Sequence, residues 1–180
     1  MRKALYALSL LAAAPLAHAA DFTFGLSNKA LAADFTSQPI GQGLEFTVGG
    51  LHHSDNGNVG TTGLQVSQQI NSNFAASLGG KIYFIQNDTR NASAIALGGM
   101  VDMALPALPQ VHVGAHGWYA PKVTSFNHTD SVQDLGASIS YRVLSNGEVF
   151  AAYRNVRIEY QREGGLTIQN GVLFGMKLSF

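Results

Sequence analysis

Apolar side chains alternate with polar or small ones, with a period of two, along most of the chain from residue 43 onward. The last segment is the clearest case, and its apolar face carries Val172, Phe174, Met176, Leu178 and Phe180. Successive side chains of a β-strand point to opposite sides, so each segment predicts a strand with one apolar face. Strands of about 9–11 residues cross a bilayer when they face lipid with apolar side chains. The pattern therefore predicts a single all-β domain, a transmembrane antiparallel up-and-down β-barrel.

The composition is consistent with a chain that faces lipid. Charged residues make up 12% of the chain, against about 25% in average soluble domains. No stretch after the N-terminal segment approaches the 18 consecutive apolar residues of a membrane-spanning helix. A secreted, soluble β-sandwich is the competing interpretation.

The N-terminal segment has the features of an export signal. Arg2 and Lys3 precede a short apolar run at residues 4–16, and Ala17-His18-Ala19 supplies the small residues of a cleavage site. The run is too short for a membrane-spanning helix, which takes about 20 residues. We expect a cleaved secretory signal at residues 1–19 and a barrel formed by residues 20–180, located in a Gram-negative-type outer membrane. Its expected partners are outer-membrane lipids, lipopolysaccharide and, during biogenesis, the barrel-assembly machinery.

Charge and cysteine content exclude other classes. Removal of Arg2 and Lys3 leaves nine basic against eleven acidic residues, which does not favour nucleic-acid binding. The absence of Cys excludes disulfides and thiolate metal sites, and no cofactor is expected.

The lengths of the connectors predict the topology, because outer-membrane barrels have short periplasmic turns and longer external loops. The expected periplasmic turns are residues 71–73, 106–109 and 145–147, and the expected external loops are residues 53–59, 87–91, 121–131 and 161–165. Eight strands follow residue 43. A hairpin at Asn28-Lys29 would add two, because it pairs Leu26 with Leu31, Phe24 with Ala33 and Phe22 with Phe35 on one face. We predict ten strands, with eight strands plus an N-terminal extension as the alternative.

Two further segments bear on the barrel wall. The terminal strand, with Phe174, Met176, Leu178 and the C-terminal Phe180, is similar to the signal that the barrel-assembly machinery reads. The segment at residues 148–160 is ambiguous, because its apolar residues change from odd to even positions. Either a β-bulge near Arg154 switches the faces, or the upper part of this strand stands above the membrane.

Eight polar residues are expected to line the lumen: Glu45, Lys81, Asp102, His112, His116, Arg142, Arg154 and Lys177. They could neutralise one another in a plugged barrel, or form a charged, water-filled constriction. The four basic residues outnumber Glu45 and Asp102 by two, which predicts weak anion selectivity. Inward glycines such as Gly136 and Gly175 would leave room for water.

Metal and hydrolase sites are weakly indicated. His112 and His116 lie four residues apart on one strand face, or about 13 Å, which is too far to share one ion. Ser125, His128 and Asp130 in the longest external loop have the residue types of a hydrolase. These are also ordinary loop residues, so we expect no catalytic residues and no enzyme. We expect a narrow porin-like passive channel for small hydrophilic solutes; the alternatives are a plugged structural or adhesive barrel and, least favoured, a surface hydrolase.

The chain resembles the YfaZ-type outer-membrane protein family over nearly all of its mature length. The resemblance rests on the order and spacing of short motifs, which are Gly25-Leu26-Ser27, Leu78-Gly79-Gly80-Lys81-Ile82-Tyr83, Leu97-Gly98-Gly99, Tyr119-Ala120-Pro121-Lys122, Tyr153-Arg154-Asn155 and Phe180. It implies a small outer-membrane barrel, sometimes described as porin-like, and implies no catalytic residues.

Overall fold

The computed structural model describes residues 20–87, 91–161 and 164–180, so the signal expected at residues 1–19 lies outside the described residues. The strands are β1 (Asp21–Leu26), β2 (Ala30–Thr36), β3 (Leu44–His53), β4 (Gly57–Asn71), β5 (Phe74–Gln86), β6 (Asn91–Leu105), β7 (Leu108–Ala120), β8 (Ser125–Phe126), β9 (Thr129–Leu144), β10 (Gly147–Tyr160) and β11 (Gly164–Ser179). One 3-10 turn at Lys122–Thr124 precedes β8.

Ten of these strands close into an antiparallel barrel. Sequence neighbours pair around the ring, β7 pairs with β9, and β1 pairs with β11 to close it. Among the described residues, the short β8 pairs with β6 alone and stands outside the ring. The prediction of ten strands is confirmed, as is the register of the N-terminal hairpin, where Leu26 lies opposite Leu31 and Phe22 opposite Phe35.

The two ends of the barrel differ. We call the end at which Ala20 and Phe180 meet the terminal end, where the Phe180 N–H donates to the Ala20 carbonyl at 3.0 Å. The opposite end, with the turns after β1, β3, β5, β7 and β10, is the loop end. Tight turns join β4 to β5, β6 to β7 and β9 to β10 at the terminal end, as the connector lengths predicted.

The outer surface carries a continuous apolar band. Large apolar side chains are exposed on every long strand, including Phe46, Leu64, Leu78, Leu97, Leu135, Ile139, Val149 and Phe174. Burial of such a surface in lipid accounts for the alternation seen in the sequence. Within the described ranges, no helix is long and apolar enough to cross a membrane.

Strand β10 keeps one phase along its whole length, so a face switch near Arg154 does not occur. Val149 and Tyr153 face outward, and Arg157 continues this exposed face, while Val156 and Ile158 are fully buried inside the barrel. The register shift lies between Val156 and Arg157 in the pairing with β11, where Ile168 of β11 is passed over. Val156 and Ile158, which made the sequence ambiguous, therefore point into the lumen and not into lipid. The outward Arg157 beside them belongs to the part of the strand above the apolar band.

The loop-end half of the lumen is filled by apolar side chains. We call this cluster the apolar plug; it contains Tyr83, Ile85, Val132, Val156, Ile158 and Ile168, all fully buried. Small residues of β6, including Ala92, Ala94 and Ala96, complete the packing. A narrow barrel has room for side chains to fill its interior, and here they do so at one end only.

Candidate functional site

The terminal-end half of the lumen contains a cavity of about 580 Å³. Its wall extends from Asp21 and Lys177 at the terminal end to Asp134 and Arg154 at mid-barrel, where the apolar plug begins. Six of the eight expected lumen residues line it, namely Glu45, Lys81, Asp102, His116, Arg154 and Lys177. His112 and Arg142 face inward beside its rim.

A buried ion pair forms the inner end of the cavity. The Arg154 guanidinium donates to both carboxylate oxygens of Asp134, at 3.0 and 2.7 Å. The same carboxylate accepts a hydrogen bond from the Tyr83 hydroxyl at 2.9 Å and lies 3.2 Å from His116 Nε2. Asp34 lies 3.9 Å from the other side of the guanidinium. Buried charges persist when they are paired and hydrogen-bonded in this way.

A second polar network surrounds the terminal-end mouth. Asp102 contacts His112 at 2.8 Å, and His112 lies 3.1 Å from Arg142, which reaches Glu148 at 3.4 Å. Of the eight expected lumen residues, Asp102, His112 and Arg142 contact one another in this network. The ion pairs of Arg142, Lys177 and Arg154 are instead with carboxylates that sequence reasoning missed. Further pairs include Lys177 with Asp21 at 2.8 Å and Glu45 with Gln65 at 2.7 Å.

The missed carboxylates reverse the expected charge of the lumen. Besides Glu45 and Asp102, the inward face carries Asp21, Asp34, Asp134 and Glu148. Six carboxylates therefore stand against four basic residues, and the prediction of a positive lumen is wrong for the described residues. A negative lining concentrates cations. The signal was available: Asp134 is in phase with the inward Gly136, and Glu148 with the inward Arg154.

The inward glycines make room for side chains of neighbouring strands. A Cβ at Gly136 would lie 2.3 Å from the His116 ring, and a Cβ at Gly175 would lie 2.7 Å from the Phe150 ring. A larger residue at Gly136 would displace the His116 ring, and one at Gly175 would also meet the Phe24 carbonyl oxygen at 2.0 Å, because real Cβ atoms do not approach so closely. The expectation that these glycines leave space for water is corrected at these two positions.

Lys81 and Trp118 form a contact in the middle of the cavity. The Lys81 ammonium lies over the indole ring, 4.5 Å from its centroid. Both residues line the cavity, and Trp118 is the sole tryptophan of the chain. This is the geometry of a cation–π interaction, which holds the ammonium within the lumen.

The hydrolase residues are not assembled in the long loop. The Ser125 hydroxyl donates to the Pro121 carbonyl at 2.9 Å, and Asp130 pairs with Lys122 at 2.9 Å. Over the described ranges, no hydrogen bond links Ser125, His128 and Asp130 to one another, and no group of three or more His, Asp or Glu side chains is placed to hold a metal ion.

Contacts between turns cover the loop end beside the short N-terminal hairpin. Lys29 pairs with Asp55 at 2.6 Å, and the hydrogen bond from Lys29 lowers the pKa of the Asp55 carboxyl. The same contact raises the pKa of the Lys29 amine. The Asn56 amide donates to the Ile168 carbonyl of β11 at 3.0 Å. The turn after β3 is thereby tied to the wall on the far side of β1 and β2.

A closed antiparallel barrel with an apolar outer band and a charged interior cavity defines a membrane-spanning β-barrel protein. The chain belongs to the YfaZ family, whose description is "YfaZ precursor" and whose match covers residues 1–180.

No curated protein matches the chain. Among solved structures it is similar to "KdgM porin", with 14% identity and a TM-score of 0.48 over 91% of this chain and 99% of that one. It is also similar to "KdgM porin in complex with disordered oligogalacturonate", with 13% identity, a TM-score of 0.48 and the same coverage of both chains.

Proposed function

We propose that this chain is an outer-membrane, porin-like protein that forms a narrow passive channel for small hydrophilic solutes. The observation that carries the proposal is the cavity of about 580 Å³, lined by charged and polar side chains inside a barrel with an apolar exterior. A polar lumen within a lipid-facing wall is the arrangement through which barrels conduct solutes.

The apolar plug is the constriction of this channel. Tyr83, Ile85 and Ile158 fill the loop-end half, and none of them is accessible to solvent. Hydrophobic constrictions gate pores by excluding water. Conduction therefore requires the plug to move, and we expect rare or small openings instead of a steady large current.

The orientation follows from the connectors and the export signal. Three of the four connectors at the terminal end are two-residue turns, the exception being residues 37–43 between β2 and β3. Short turns favour a periplasmic position for this end, where the assembly signal around Phe180 would be read during biogenesis. Membrane lipids would contact the apolar band, and lipopolysaccharide would surround its upper edge. The cavity then opens toward the periplasm and the plug faces the cell exterior.

Planar-bilayer recording of refolded protein tests the channel. We expect Ile158→Ala, which removes part of the plug, to raise the frequency or size of openings above wild type. Ile139→Ala, on the lipid-facing side of β9, is the matched control and should behave as wild type. A heat-dependent gel shift checks that each variant is folded. Silence of both wild type and Ile158→Ala, with folded and inserted protein, would contradict the channel.

The second candidate is a closed barrel that acts through its periplasmic cavity or its surface loops. The complete burial of the plug residues favours it. It predicts the silent outcome of the same recording, so the two candidates are distinguished by one experiment.

A further inference from the structure

Two buried polar atoms that belong to residues lining the cavity have no hydrogen-bond partner within the described protein. They are the amide oxygen of Gln65 and the indole nitrogen of Trp118. Their residues are 4% and 1% exposed. Most buried polar atoms in folded proteins are satisfied, so each exception calls for an explanation.

The orientation of Gln65 is fixed by its neighbour. Its amide nitrogen donates to the Glu45 carboxylate at 2.7 Å. A carboxylate accepts hydrogen bonds, so the NH2 of Gln65 faces it. The amide oxygen of Gln65 then points away and remains as a free acceptor.

Lys81 adds a donor to the same region. No carboxylate lies within ion-pair distance of its ammonium in the part of the chain that the structure describes, and its close contact is with the face of Trp118. The nearby Asp34 and Asp134 are both held by Arg154. The ammonium therefore keeps hydrogen-bond donors for another group.

Lys81 and Arg154 stand against Asp34, Asp134 and Glu45, so carboxylates are in slight excess around this region. An anionic ligand would be repelled by this excess inside a low-dielectric barrel. Hydroxyl groups match this region better, because each one both donates and accepts. Phe150 and Leu173 on the cavity wall offer apolar surface for the C–H face of such a ligand.

We propose that the cavity binds a small neutral polyhydroxylated molecule, a sugar or polyol, whose hydroxyls accept from Lys81 and Trp118 and donate to Gln65. The cavity volume of about 580 Å³ lies within the range of about 300–1,000 Å³ for small-molecule pockets. The site needs the cavity but not an open plug, so this inference goes beyond the proposed channel.

The sole tryptophan gives a direct assay. In protein with ¹⁵N-labelled indole, Trp118 gives one N–H resonance. Glucose is the probe, and the micelles are of a detergent without a sugar headgroup. We expect glucose to shift this resonance saturably. Lys81→Met and Gln65→Leu should each weaken binding about tenfold, the effect of losing one hydrogen bond to a buried or charged group.

Control variants lie on the same chain outside the cavity. Lys122→Met in the loop and Gln68→Leu on the outward face of β4 should leave the affinity for glucose unchanged, and a heat-dependent gel shift checks folding. The inference is overturned by an absence of any saturable shift, or by unchanged affinity in both Lys81→Met and Gln65→Leu. Saturation by gluconate but not by glucose would instead define an anion site. Because binding is measured in micelles without a potential, its failure is independent of the bilayer recording.

Discussion

Removal of Arg154 should destabilise the barrel more than removal of any other lumen charge. The Asp134 side chain is 1% exposed, and the Arg154 guanidinium donates a charge-assisted hydrogen bond to each of its two oxygens. Breaking a buried pair by removing one partner costs about 3–5 kcal/mol, because the other charge is left uncompensated. We expect Arg154→Met to fall in that range. Asp134→Leu should cost less, because Arg154 is 13% exposed and keeps Asp34 at 3.9 Å.

Removal of both charges should be milder than the two single changes together. The double variant Arg154→Met/Asp134→Leu leaves neither charge of the buried pair behind, and Asp34, which also loses Arg154, has a side chain that is 37% exposed to solvent. Apolar side chains are tolerated at buried ion-pair sites. We expect a coupling free energy of about 2 kcal/mol or more, within the range for residues in direct contact.

Equilibrium urea unfolding in lipid vesicles, followed by Trp118 fluorescence, measures these free energies of unfolding. Arg142→Met is the matched control, because the Arg142 side chain is 45% exposed at the mouth and its pair with Glu148 is 3.4 Å long. Exposed pairs contribute about 1 kcal/mol or less. If Arg154→Met destabilised no more than Arg142→Met, or if the double variant were additive, the reasoning would be refuted.

Four further outcomes are expected. Fractionation should recover the mature protein in the outer membrane, and recovery as a soluble periplasmic protein would contradict the location. Phe180→Ala should reduce the heat-modifiable, assembled fraction in cells; equal assembly would show that the terminal aromatic residue is not read. Any channel current should prefer cations, and Glu45→Gln should shift the reversal potential in the direction of anion selectivity. An anion preference in the wild type would show that the lumen charge does not set selectivity. The contact between Asp55 and Lys29 should persist at neutral pH and be lost as the pH falls through the lowered pKa of Asp55, below the usual value of about 4. Hydrogen exchange of the turn after β3 measures this loss, and an identical acid response in Asp55→Asn would contradict the prediction.

The strands, their faces and the ten-stranded closure could be predicted because a period of two is a local property of the sequence. The hairpin that pairs Leu26 with Leu31 was predictable for the same reason. The apolar plug was not, because Val156 and Ile158 have the same side chains whether they face lipid or fill a lumen. Only the phase of the whole strand decides between the two.

The candidate site was predicted less completely. The inward basic residues stood out against an apolar sequence, but their partners lie on neighbouring strands, and the register that joins them is a tertiary property. Arg154 lies opposite Gly136, which places Asp134 diagonally within reach of its side chain. A residue pattern on one strand contains no information about that diagonal.

The seam between the first and last strands joins the two ends of the described chain into a ring. It runs only from Asp21 opposite Ser179 to Leu26 opposite Phe174, whereas the seam between β10 and β11 continues up to Tyr160. Its two strands are also the farthest apart along the chain, so no part of it can form before the C-terminus is available. Ring closure therefore rests on six residue pairs, as few as the six that join β1 to β2. Because β1 is held on both sides by these short ladders, we expect β1 to be the part of the wall that separates first under thermal load.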